Sequence, residues 1–137
     1  MKTYIAALVF VAAAAAPAVV AQETHTPALE SFEFIGCSGD FEDMDATPEI
    51  WRVTADGKVS FLTHTVGACG LAGRAPAVAG NAETLDLNYE LFSPTDAAIM
   101  CECEYWARFT FGPGAHTVKT ATFGGNRAVL KGTWPGR

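Results

Sequence analysis

Four cysteines, Cys37, Cys69, Cys101 and Cys103, are the residues whose spacing says most about chemistry. Cys101 and Cys103 stand one residue apart in a stretch where apolar and polar side chains alternate, which places both on one face of an extended strand about 6–7 Å apart. That separation is at or beyond what a cystine tolerates, and the two Cβ vectors run parallel. Cys37 and Cys69 are therefore each expected to reach across to this strand, with either order of pairing open. In an oxidising compartment an even count of four in so small a chain implies two disulfides.

The remaining reactive side chains form weaker patterns. Asp40, Glu42, Asp43 and Asp45 gather carboxylates of the kind Ca²⁺ accepts, and Asp40, Asp43 and Asp45 are the metal candidates. The EF-hand spacing is missing, however, with no glycine at the sharp turn and no glutamate at the twelfth position, so a solvated acidic loop is the simpler reading. His25, His64, His116, Met44 and Met100 add to the cysteines the soft ligand types of a copper or zinc site. Their spacing opposes one: there is no Cys-x-x-Cys, no histidine pair at ligand spacing and no methionine run.

For catalysis, the serine elbow and the zinc-protease helix are both absent. No histidine has a carboxylate partner that spacing alone reveals. A small hydrolase or inhibitor survives only as a triad assembled from distant positions. The sequence thus names no catalytic residue and no cofactor. Trp106 is the most informative single residue, because it projects from the polar face of its strand between Glu104 and Arg108. An aromatic ring flanked by charged hydrogen-bonding groups suits a platform for a sugar or an anchor for a protein. The alternative is that a loop or a second sheet covers it.

These residues need elements to hold them, and the first stretch of the chain is not one of them. Lys2, the apolar run Ile5 to Ala16, Pro17 and the small residues Val19 and Ala21 have the order of a secretory signal peptide cleaved before Gln22. The apolar run is well short of the roughly 20 residues a spanning helix needs. Residues 1–21 are therefore expected to be removed, leaving a mature chain with no transmembrane segment in the periplasm or outside the cell. Cleavage one residue later would leave Glu23-Thr24-His25 as an amino terminus with histidine third, a possible Cu²⁺ chelate.

After a loose lead-in over residues 22–28, period-two alternation recurs between turn signals, the pattern of an all-β domain over 29–137. Glu49 to Thr54 and Val59 to Val66 read as strands joined by Asp56-Gly57, a two-residue hairpin signal. Gly67 to Glu83, rich in Gly, Ala and Pro, reads as a crossing loop held by Cys69. Leu85, Leu87, Tyr89 and Leu91 alternate with Asp86, Asn88 and Glu90. Cys101 to Phe111 alternate without a break, Gly112-Pro113-Gly114 turns the chain, His116 to Thr122 returns, and Arg127 to Trp134 closes the domain.

About seven short antiparallel strands with this many aromatics fit two sheets packed face to face, an immunoglobulin-like Greek-key sandwich, with a small closed barrel as the alternative. Trp51, Phe61, Leu87, Tyr89, Tyr105 and Phe109 are the expected core. Cys101-Glu102-Cys103-Glu104-Tyr105, followed by Arg108-Phe109-Thr110-Phe111-Gly112 and Thr117-Val118, resembles a pattern in small exported bacterial β-sandwich proteins and lipoproteins. In these a Cys-x-Cys-x-Tyr strand runs into a glycine turn and a returning strand. The resemblance implies a fold and a compartment, and carries no assigned activity.

Charge narrows the partners. The whole chain carries −6, and residues 22–104 hold three basic against fifteen acidic side chains, whereas 105–137 hold five basic and none acidic. So acidic a chain is not a nucleic-acid binder. The segregation is read as cross-strand ion pairing at the surface, where each pair is worth little. The expectation is an exported, disulfide-stabilised, non-enzymatic sandwich that serves as an interaction or envelope-associated module for a protein or glycan. A copper- or zinc-binding protein is the alternative.

Overall fold

The computed structural model describes residues 25–38, 49–95, 99–127 and 129–133, with backbone alone at 99, 126, 127 and 129–133. The described chain is almost entirely strand: β1 (Leu29–Cys37), β2 (Glu49–Ala55), β3 (Lys58–Cys69), β4 (Ala72–Gly80), β5 (Thr84–Phe92) and β6 (Ile99–Phe111) come first. A 3₁₀ turn (Pro113–Thr117), β7 (Thr120–Phe123), β8 (Asn126–Arg127) and β9 (Val129–Thr133) follow. One sheet has the order β1-β6-β3-β2-β9 and the other β4-β5-β7-β8. They enclose a single core, so the expected all-β sandwich is the observed one. The leader expected at 1–21 and the acidic segment with Asp40, Asp43 and Asp45 lie outside the described residues.

The core is built by strict alternation. Val59, Phe61, Ala107, Phe109 and Phe111 point inward from β3 and β6, and meet Leu85, Leu87, Tyr89 and Ala121 from β5 and β7. Tyr89 sits in a ring of aromatics, with centroids 5.6 Å from Phe32, 5.9 Å from Phe34, 6.2 Å from Phe109 and 5.4 Å from Phe123. Of the expected core, Phe61, Leu87, Tyr89, Tyr105 and Phe109 are buried. Trp51 is only half-buried, because its neighbour Ile50 takes the inward position.

The turns follow local chemistry. Asp56 (φ 51) and Gly57 (φ 72) adopt the left-handed pair that a tight hairpin between β2 and β3 requires.

Four expectations need correction. The segment 67–83 is not a long loop: the chain crosses between sheets at Gly70 and Leu71, and Ala72–Gly80 forms edge strand β4. Alanine and glycine give no period-two apolar signal, which hid it. A bulge between Arg74 and Ala77, with Ala75 at φ 50 and Pro76 beside it, interrupts this edge, as edge strands commonly require. Second, His116 belongs to the 3₁₀ turn, and the returning strand begins only at Thr120. Third, the closing strand is split, β8 pairing with β7 and β9 with β2 in the other sheet. Fourth, the sheets are not wholly antiparallel, since β2–β9 and β5–β7 run parallel.

Candidate interaction face

Both disulfides lie within the five-stranded sheet, at one end of β6. Cys37–Cys103 ties β6 to β1 and Cys69–Cys101 ties it to β3, with Cα separations of 5.7 and 5.4 Å. Cys101 and Cys103 thus face opposite neighbours, which settles the order of pairing. All four thiols are consumed, so the thiolates that a copper or zinc site would use are not on offer. Among the described residues no group of three or more His, Cys, Asp or Glu side chains is placed to hold a metal ion. His25 lies in the lead-in and His116 on the 3₁₀ turn, both exposed, while Met100 is fully exposed at the start of β6.

The side of the five-stranded sheet turned away from the core carries the other candidates. Register places Glu33, Arg108, Leu62 and Trp51 side by side in one row across β1, β6, β3 and β2. In the next row Trp106 lies opposite His64. The Arg108 guanidinium pairs with the Glu33 carboxylate at 3.2 Å, with Glu33 exposed and Arg108 half-buried. Trp106 does not stand free in solvent as a bare platform would: it is only 6% exposed, and its ring stacks on the His64 imidazole with centroids 5.0 Å apart and planes 26° apart. Alternation told which side Trp106 points to, and burial depends on what lies over it.

His64, named from the sequence only among the soft ligand types, is placed here beside a carboxylate that spacing did not reveal. Its Nδ1 lies 3.3 Å from Glu104 Oε1, and both side chains are mostly buried. Glu104 sits diagonally across from His64, beside Val66 in the register, so no sequence motif joins the two; only the β3–β6 pairing does. Ser60, on the same face of β3, is bonded to Thr110 Oγ1 at 2.9 Å, so it is not aligned as a nucleophile.

Around this face the charge segregation resolves into local pairs. Glu33 and Arg108 pair across β1 and β6, Lys58 meets Glu30 at 2.8 Å, and Lys119 meets Glu83 at 2.8 Å. On the other sheet Arg74 holds Glu90 through two bonds of 2.9 and 2.7 Å and lies over the Phe92 ring at 4.2 Å. The Arg74 hydrogen bonds hold the Glu90 carboxyl below its ordinary value, and the Glu30 hydrogen bond raises the Lys58 ammonium.

Compared with known proteins, the chain matches no protein family, no curated protein and no solved structure. Among the described residues no helix is long and apolar enough to cross a membrane.

Proposed function

We propose that this protein is exported and acts, without catalysis of its own, as an interaction module at the cell envelope. The observation that carries the reading is the oxidation of all four cysteines into two disulfides. Such pairing persists where thiols are not kept reduced, and it agrees with the leader-like order of residues 1–21. The binding surface is the outer face of the five-stranded sheet. Arg108 and Glu33 offer paired charge there, Ile35 is 45% exposed beside them, and Glu104, His64 and Trp106 form the rigid floor. The partner is an envelope protein or glycan.

The test has two arms. Fractionated cells expressing the full chain should yield a mature form in the exported fraction, with mass matching cleavage near Ala21 and two cystines, about 4 Da below the four-thiol form. A full-length, reduced cytosolic product would overturn export. Capture of envelope proteins or glycans should then weaken with Ile35→Asp and Arg108→Glu, which alter exposed side chains, whereas Arg74→Glu on the opposite sheet should leave it unchanged. Equal loss from all three variants would remove this face as the binding surface.

A further inference from the structure

We infer that the Cys69–Cys101 bond is a thiol-exchange site, open to neutral and cationic thiols, which can be opened while Cys37–Cys103 and the fold stay intact. Three observations combine. The first is solvation of the leaving group. Cys101 is exposed and Cys69 half-exposed, whereas Cys103 is 1% exposed. Attack on exposed Cys37 would expel a buried Cys103 thiolate, a poor leaving group, while either sulfur of Cys69–Cys101 leaves in contact with water.

The second is how little the bond holds alone. Cys69 is the last residue of the β3–β6 ladder, beyond an irregularity between Ala68 and Cys69. The turn that follows is clamped independently, because the Tyr105 hydroxyl accepts a hydrogen bond from Leu71 N at 3.0 Å and donates one to Ala68 O at 2.7 Å. Cys103, by contrast, lies inside the ladder opposite Gly67, and Ser38 N donates to Glu104 O at 2.9 Å next to its bond. The third is charge. Glu102 stands exposed between the two bonds and Glu104 follows, with no lysine or arginine on β6 before Arg108. A thiolate that carries further negative charge is repelled there, and one whose ammonium group offsets its charge is not.

The exchange balances simply. A thiolate RS⁻ attacks one sulfur, the S–S bond breaks, and a mixed disulfide forms while the other cysteine leaves as thiolate and takes a proton from water. A second RS⁻ displaces the protein sulfur, giving RSSR and two protein thiols; two equivalents of thiol are oxidised and one cystine is reduced.

The experiment treats the oxidised protein with cysteamine or glutathione at equal thiolate concentration, quenches by alkylation, and maps the labels by mass. The first species formed should carry label or mixed disulfide only at Cys69 and Cys101, with near-ultraviolet circular dichroism unchanged. Cysteamine should exceed glutathione by roughly 3- to 7-fold at low salt relative to the same ratio on a small disulfide, the difference shrinking in 0.5 M salt. First labelling at Cys37 or Cys103, simultaneous opening of both bonds, or a rate ratio indifferent to thiol charge would overturn the inference. The C69S/C101S double variant should retain the native spectrum and lose the fast phase. A fast phase that survives in it would also overturn the inference.

Discussion

The two faces of the five-stranded sheet bury side chains on different terms. The inner face, from Val59 and Phe61 to Phe109 and Phe111, is mostly hydrocarbon and aromatic ring against another sheet, with Thr63 and the Arg52 guanidinium over Phe61 among its few polar groups. The outer face is mixed: Leu62 at 1% and Trp106 at 6% exposure share it with His64, Glu104 and the Arg108–Glu33 pair. The inner face specifies a shape that cannot tolerate a void. The outer face instead surrounds ionisable groups with buried apolar area, which holds them in fixed positions.

That contrast predicts a graded series. Phe109→Ala opens a cavity among Phe32, Phe61 and Tyr89 neighbours and should destabilise by about 3–5 kcal/mol in chemical denaturation. Loss of the Cys37–Cys103 bond in a double serine variant should lower stability by about 2–4 kcal/mol, given its sequence separation of 66. Gly73→Ala should cost about 1–3 kcal/mol, since its added Cβ would lie 2.3 Å from the Phe34 ring that seals β1 against β4. A cost near zero would mean that Phe34 is free to move and that this seam is not packed like the core.

Tyr89→Phe tests a polar group that β5 sends into the core against that inner face. Its hydroxyl is buried without a hydrogen-bond partner among the described residues, so removing it should be neutral or stabilising by up to about 1 kcal/mol. Burial also raises its ionisation far above the ordinary 10.0. Above pH 10 the unfolded chain releases this proton and the native one keeps it, so stability should fall as pH rises beyond that point. The slope should flatten in Tyr89→Phe, and a persisting slope would assign it to another group. Smallest of all, a double-mutant cycle on exposed Arg74 and Glu90 should give under about 1 kcal/mol and weaken further in salt. Glu90, held low, contributes above its unfolded value and loses that contribution as pH falls through the folded one.

Sequence patterning reached the inner face well and the outer face poorly. Leu85 to Leu91 and Cys101 to Phe111 announced their strands because large apolar side chains alternate there. Asp56-Gly57 announced its hairpin through backbone conformation. β4 was silent because Ala77, Ala79 and Gly73 carry no amphipathic signal. The division of the last strand into β8 and β9 was equally silent, since the same alternation serves either sheet. His64 and Glu104 become partners only through a register set by long-range pairing, and Cys101 could not be assigned to Cys69 until that register was known.

The parallel pairing of β2 with β9 has a consequence for timing. An early strand waits for the last described strand before the five-stranded sheet has its far edge, and β1 likewise waits for β6. Contacts between distant parts of a chain form slowly. A nascent chain of this topology can form its local hairpins early, but it completes the five-stranded sheet only once its last described strand is available.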